Sequence, residues 1–414
     1  MLDLLPDLEA YLDGGGQGGR AFAVATIIGT TGSVPRPVGT SMLVGEDGAV
    51  RGSLSGGCVE GAVLEACLAS LADGSTRREH FGFSDEDAFA VGLMCGGTLD
   101  VLVQPFRPAA GGAAAGTGSG TGTGTVPEGP EGPEVLEELA GKQRERVADG
   151  CALVRRIDDP AAAPGEDRGS GGPILVPDPL HFAAASIAPQ LMSLLGDEGM
   201  VRSASAQLEP LVRAGHTGVI RVAPSGAGRR DVPAELFVES RLPAPPLLVF
   251  GANDFAGALL EAAAPLGYRG ILCDARGAFA DPAAFPQADE VAVQWPHAYL
   301  EDLRAAGPID ARTVVCVLTH DPKFDIPVLR TALGLDVAYV GAMGSRSSDR
   351  HRRAALLEAG TTPAQLARLH SPIGLDVGAC TPKEVAVSIV AEILAVRNGK
   401  EAPQPLSRVA GPIH

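Results

Sequence analysis

From Pro245 onward, unbroken runs of Val, Ile, Leu and Ala alternate with stretches whose apolar residues recur every three or four positions. The runs "LLVFGA", "RGILCDA", "EVAVQ", "TVVCVLTH" and "VAYVGA" predict five strands buried on both faces. Helices are predicted at "DFAGALLEAAAPLG", ended by Gly267, and at "PHAYLEDLRAAG", "PKFDIPVLRTALG", "SSDRHRRAALLEAG" and "PKEVAVSIVAEILAVRNG". Such runs separated by helices define a doubly wound parallel sheet, and a strand order of 3-2-1-4-5 would place ligands at the carboxyl ends of the strands.

The first 107 residues mix the two periods into an α/β block. "AFAVATIIGT" and "SMLVGEDGAVRGSL" read as strands around a loop, residues 59–72 as a helix, and "GGTLDVLVQPF" as a closing strand. Residues 108–134 are rich in Gly, Thr and Pro, bury too little apolar surface to offset the entropy of ordering, and are expected to form a flexible linker. Residues 135–240 resume with a helix and the strand "CALVRRI", broken by the loop-like "DDPAAAPGEDRGSGGP". This segment reads either as a degenerate repeat of the first block or as a chance likeness: "PILVPDPL" resembles "SMLVGEDG", and "LEPLVRAGHTGVIRV" matches "LASLADGSTRREHFG" in register. The parallel-sheet domain then occupies residues 241–400, followed by a tail, 401–414.

At 414 residues the chain can hold two or three cores. With 45% hydrophobic but only 4% aromatic residues, those cores must be built from Ala, Val and Leu, as suits helices packed on parallel strands. A net charge of −17 opposes attraction to nucleic acid or anionic lipid, so neither is expected as a partner. The seven cysteines form no C-x-x-C pair and are odd in number, which indicates neither a zinc ribbon nor a disulfide framework, and points to a reducing compartment. The N-terminal stretch lacks a basic start and an apolar run, and nowhere do 18 apolar residues follow one another; a cytoplasmic protein without a membrane span is expected.

The candidate chemistry falls in two groups. In the first block, Cys58 follows Gly56 and Gly57 and precedes a helix, where the macrodipole and free N–H groups would favour a thiolate; alternatively a small residue simply fills a tight turn. Cys95 mirrors it beside a second glycine pair, Glu60 could act as base or cap, and Arg36, stiffened between two prolines, could bind an anion or a local acid. In the last block, "GANDFAG" stands where a dinucleotide fold carries G-x-G-x-x-G: Gly251 fits, but Asn253 replaces the second glycine and Asp254 adds a negative charge. Asp274 could take ribose hydroxyls or close its own turn. His320, Asp321 and Lys323 would face the crevice, unless "LTHDPKFD" is only a solvated loop; Gly341, Gly344, Ser345 and Arg346 suggest a phosphate nest. "CTPKE" reads as a helix cap.

These motifs resemble the XdhC/CoxI family, the accessory proteins that mature molybdenum hydroxylases such as xanthine dehydrogenase and CO dehydrogenase. The likeness rests on "GSVPRPVGTSMLV", "GSLSGGCVEGAV" and "VGLMCGGTLDVLVQPF", and on "CDARGAFADPAAFPQADEV", "VLTHDPKFDIPVL", "VGAMGSR" and "SPIGLDVGACTPKEVAVSIVAEI". The resemblance implies an N-terminal α/β XdhC/CoxI-type domain joined to a C-terminal Rossmann-like doubly wound parallel sheet. It also implies a carrier rather than a catalyst: one that binds molybdenum cofactor, as molybdopterin or its dinucleotide form, and delivers it sulfurated to an apo molybdenum hydroxylase. Cys58 would face the cofactor, as a ligand to molybdenum, since soft thiolates suit a sulfur-rich metal site, with Cys95 nearby. A cysteine desulfurase would be a further partner and a homodimer the default state. Two alternatives remain open, an NAD(P)-binding oxidoreductase on the C-terminal domain and a scaffold recruiting a desulfurase and the hydroxylase.

Overall fold

The computed structural model describes residues 1–4, 7, 11, 20–82, 97–106, 150–158, 172–224, 233–400 and 402–409. Cys95, the linker 108–134 and the helix expected after residue 134 lie outside the described residues. The chain divides into two compact units, Met1–Pro243 with Ala410–His414, and Ala244–Val409. The first expected block and the middle segment thus share one unit.

In the first unit, strands β1 (Phe22–Thr31), β2 (Ser41–Gly45) and β3 (Val50–Gly52) precede helix α1 (Glu60–Asp73), and β4 (Arg77–Phe81) and β5 (Thr98–Phe106) follow it. They form an antiparallel sheet in the order β3-β2-β1-β5-β4. A second antiparallel sheet holds β6 (Cys151–Arg156), β7 (Ile174–Val176), β8 (Gly218–Val222) and β9 (Ala234–Arg241) in the order β7-β6-β9-β8. Helices α2 (Ala188–Leu195) and α3 (Glu198–Arg213) lie between β7 and β8 in sequence. The order β2-β1-β5-β4 and the order β7-β6-β9-β8 have the same connections, each with its helical segment at the same point. The stretches 68–82 and 208–222 each run from a helix end into an edge strand, β4 and β8.

Period-two alternation sends one face of each sheet to its helices and the other face to the opposite sheet. Ala23, Ala25, Ile27, Val101 and Val103 pack with Val63 and Cys67 of α1. Their neighbours Phe22 and Val24 meet Cys151 and Leu153, and Ile28 and Leu102 meet Phe237. This is a helix–sheet–sheet–helix sandwich. Inner strands such as β1 and β6 are apolar on both faces because two layers cover them, so the apolar composition expected from parallel strands arises here in antiparallel ones.

The second unit holds a parallel sheet of β10 (Pro246–Phe250), β11 (Arg269–Asp274), β12 (Glu290–Val293), β13 (Val314–Val317), β14 (Tyr339–Ala342) and β15 (Leu369–His370). Its order, β12-β11-β10-β13-β14-β15, is the doubly wound 3-2-1-4-5-6 arrangement. Helices α4 (Asp254–Ala263) and α9 (Pro382–Arg397) cover one face. Helices α5 (Pro296–Ala306), α6 (Pro322–Leu333), α7 (Arg346–Glu358) and α8 (Pro363–Ala367) cover the other. Thr381 and Glu384 form the expected capping box of α9. Among the described residues no helix is long and apolar enough to cross a membrane.

Candidate functional sites

In the first unit, the turn before α1 is organised around Glu60. Its carboxylate accepts from Ser53 Oγ at 2.7 Å, Ser55 Oγ at 2.6 Å, and the backbone N–H groups of Ser55 at 2.8 Å, Gly56 at 3.0 Å and Gly57 at 2.8 Å. Gly56 and Gly57 take φ of 79° and 121°, a left-handed conformation that turns these N–H groups inward. Burial pushes the Glu60 carboxyl up, but the hydrogen bonds from Ser55 and Ser53 and the backbone outweigh it and hold it far below the usual carboxylate range. Of the two roles open to it, Glu60 therefore takes the cap and is no base at neutral pH.

Cys58 stands half-buried on the shoulder of this turn, its N–H bonded to Ser55 Oγ at 2.9 Å. Ser55 Oγ takes the N–H groups of Cys58 and Val59, the N-cap residue Val59 itself makes no side-chain capping bond, and Glu60 takes the N–H groups of Gly56 and Gly57. Glu60→Ala should remove the acceptor from these donors, costing about 1–3 kcal/mol of stability. It should also speed iodoacetamide labelling of Cys58 by loosening the turn; peptide mass spectrometry would show unchanged labelling if Glu60 does not hold it.

Arg36 is exposed between Pro35 and Pro37 with no ion pair among the described residues. Its loop packs on the same core as Cys58 through Val34 and Val38. A Cβ on Gly97 would lie 2.3 Å from Ser33 O, so the chain at Gly97 passes tightly against that loop. Among the described residues, no three His, Cys, Asp or Glu side chains gather to hold a metal ion.

In the second unit the carboxyl ends of the strands carry most of the other candidates. Gly251 has φ 111°, and a Cβ there would meet Thr319 Cγ2 at 2.6 Å, so glycine lets β10 end against β13. Asn253 caps α4: Oδ1 accepts from Ala256 N at 3.0 Å and Nδ2 donates to Leu318 O at 3.0 Å. A side chain thus takes one of the helix-start N–H groups that a pyrophosphate would use in a dinucleotide fold. Asp274, 2% exposed, accepts from Ala252 N at 2.9 Å and from Arg276 at 2.9 and 2.7 Å through Nε and Nη2. Its carboxylate closes its own turn and has no free edge for a ribose.

His320 is exposed, Asp321 caps α6, and Lys323 Nζ lies 3.0 Å from Asp321 Oδ2, so that cation is paired. Gly341 sits inside β14 rather than in the turn after it, where a Cβ would strike Ile373 and the Tyr339 ring. Gly344, Ser345 and Arg346 form the turn into α7: Gly344 has φ 149°, Ser345 Oγ accepts from Ser348 N at 3.1 Å, and Arg346 is exposed with no ion pair among the described residues.

Beneath these turns lies a pair that the sequence reading missed. Asp325 and Arg352, 3% and 6% exposed, meet at 3.2 Å. Thr319 donates to Asp325, while Arg352 donates to Met343 O at 2.7 Å and Ser371 Oγ at 2.9 Å. Burial pushes the Asp325 carboxyl up despite Thr319 and Arg352. The pair ties together the ends of β13, β14 and β15.

The doubly wound parallel sheet makes this a Rossmann-type protein joined to an antiparallel sandwich. Residues 247–393 match the XdhC Rossmann domain and residues 17–82 match the XdhC and CoxI family; the chain belongs to that family. It is 32% identical over 167 residues to a probable xanthine dehydrogenase subunit of Bacillus subtilis (strain 168), covering 40% of this chain and 47%, about half, of that relative. It is 24% identical over 383 residues to the molybdenum cofactor insertion chaperone PaoD of Escherichia coli (strain K12), covering 92% of this chain and 86% of that one. A crystal structure described as a xanthine dehydrogenase from Bacillus halodurans shares the fold, with a TM-score of 0.59 and 23% identity over 98% of both chains.

Proposed function

We propose that the protein binds molybdenum cofactor and delivers it, in sulfurated form, to an apo molybdenum hydroxylase of the xanthine dehydrogenase or CO dehydrogenase type. The observation that carries this reading is the match to an insertion chaperone across 92% of the chain, which spans both units. The residues present suit such a cargo at two stations. Cys58 offers a soft thiol at the start of α1, and the Gly344–Arg346 turn offers a guanidinium without an ion pair among the described residues at the start of α7 to a cofactor phosphate. The α4 start does not fit a dinucleotide pyrophosphate, because Asn253 occupies it; this weighs against an NAD(P) oxidoreductase. A cysteine desulfurase as sulfur source, a homodimeric carrier and a cytoplasmic location complete the reading.

Anaerobic titration with molybdenum cofactor, followed by ultrafiltration and metal quantification, tests it with wild type beside Cys58→Ala. Stoichiometric retention by the wild type, reduced severalfold in the variant, is expected. Equal retention by both would remove Cys58 from the site, and retention by neither would leave a scaffold that recruits the hydroxylase without holding its cofactor.

A further inference from the structure

Seventeen of 414 residues are aromatic, and the single Trp is half exposed at the ligand-binding edge of the parallel sheet. Trp295 follows β12 and is 50% exposed; Phe279 follows β11 and is 55% exposed; Val293 ends β12 and is 58% exposed. They stand at the carboxyl ends of two neighbouring strands, β11 and β12. A Cβ on Gly277 would lie 3.4 Å from Val293 Cγ1, and the Trp295 ring lies 5.2 Å from that of Phe324 in α6. Large apolar side chains gathered in the open mark a binding surface, whereas isolated ones do not.

Two cations stand over aromatic rings here. The Arg276 guanidinium sits 4.4 Å from the Phe279 centroid and Lys323 Nζ sits 4.7 Å from that of Phe324. Each is held by its own carboxylate, Arg276 by buried Asp274 and Lys323 by Asp321. Asp274 is itself fixed by Ala252 N. The Arg276 plane is therefore set before any ligand arrives, and the paired charges leave little net charge around that plane and the exposed Phe279 and Trp295 rings. Such a surface recognises a flat ring rather than a phosphate.

We propose that Trp295, Phe279 and Arg276 form a stacking subsite for the planar nitrogen heterocycle of a phosphorylated ligand, a nucleobase or a pterin. The subsite depends on the carrier reading only for which ring arrives. Because Asn253 seals the start of α4, the ring is held without the pyrophosphate pose of a nicotinamide dinucleotide.

The lone Trp makes the test direct, since excitation at its absorption edge reports on this wall alone. The full-length protein is titrated with cytidine 5′-monophosphate, guanosine 5′-monophosphate, an unphosphorylated pterin and ribose 5-phosphate, with calorimetry as a second readout. Saturable quenching and heat with either mononucleotide, and none with ribose 5-phosphate, is expected if the ring is a nucleobase. The same signal with the pterin alone assigns the wall to a pterin. Phe279→Ala, at an exposed position that keeps the reporter, should weaken that binding about tenfold, as loss of one stacking partner does, without shifting the melting temperature. No saturable signal from any ring, or full affinity in Phe279→Ala, overturns the proposal and leaves the patch to a protein contact. Ring binding by a protein that retains no molybdenum cofactor would keep the subsite and reject the carrier reading.

Discussion

Glu239→Ala is expected to lower the melting temperature of the first unit by roughly 10 °C, the largest effect of any single substitution in the sandwich. Glu239 is 3% exposed between the two sheets, where it accepts from the Met1 amine at 2.5 Å, Leu2 N at 3.2 Å and Arg155 Nη2 at 2.7 Å. Arg155 is 4% exposed, so removing the carboxylate leaves buried positive charge without a counter-charge, a loss of about 3–5 kcal/mol. Burial pushes the Glu239 carboxyl up, but the Met1 amine and Arg155 outweigh it and hold it below its ordinary value. A depressed carboxyl stabilises the fold above its unfolded pKa of about 4.3, and that contribution is lost as pH falls through the lower folded value. Melts of the full chain across a pH series should show this acid limb in the wild type and its loss in the variant. An unchanged melting temperature at neutral pH would mean that the cluster contributes nothing net.

β10, β11, β13 and β14 were legible because each is a short apolar run covered on both faces, whereas β12, expected to be buried likewise, is the edge strand and only partly covered. β15, at two residues, offers no run to read. β4 was also unreadable, for a different reason: in "RREHF" only Phe81 is buried, since the strand lies at the sheet edge and owes its place to pairing with β5. The sandwich itself could not be read from β1, because an antiparallel strand covered by α1 on one side and a second sheet on the other has the same composition as a parallel one. Sequence supplied Cys58, and Glu60 as base or cap, but not that the Glu60 carboxylate gathers the N–H groups of Gly56 and Gly57 before the helix. In the crevice, spacing alone made Asp274 and Lys323 look available. Their partners, Arg276 and Asp321, stand two residues away and required coordinates to show engagement. One signal was present and passed over. Asp325 lies on the same stripe of α6 as buried Val328, Leu329 and Ala332, and Arg352 lies one turn before buried Leu356 on α7. A charge on an apolar stripe requires a buried partner.

That partnership makes Arg352→Met the second large effect. With Arg352 gone, Asp325 keeps, among the described residues, only Thr319 as a side-chain donor at 3% exposure, and the carbonyl of Met343 and the hydroxyl of Ser371 each lose a partner. The expected cost is about 3–5 kcal/mol, seen as a fall of roughly 10 °C in the melting temperature of the second unit. Adding Asp325→Leu should recover most of it, because an apolar pair of similar volume avoids the desolvation that the ion pair suffers. The double variant then separates stability from positioning. The Arg352 guanidinium lies beneath Gly344, within 3.4 Å of where its Cβ would be, and so supports the turn that presents Ser345 and Arg346. If the pair merely fills space, the recovered double variant should bind phosphate-bearing ligands as the wild type does. If the pair sets that turn, affinity measured by calorimetry should stay several-fold weaker although stability has returned, and the buried charge is then retained for the shape of the crevice rather than for the strength of the fold.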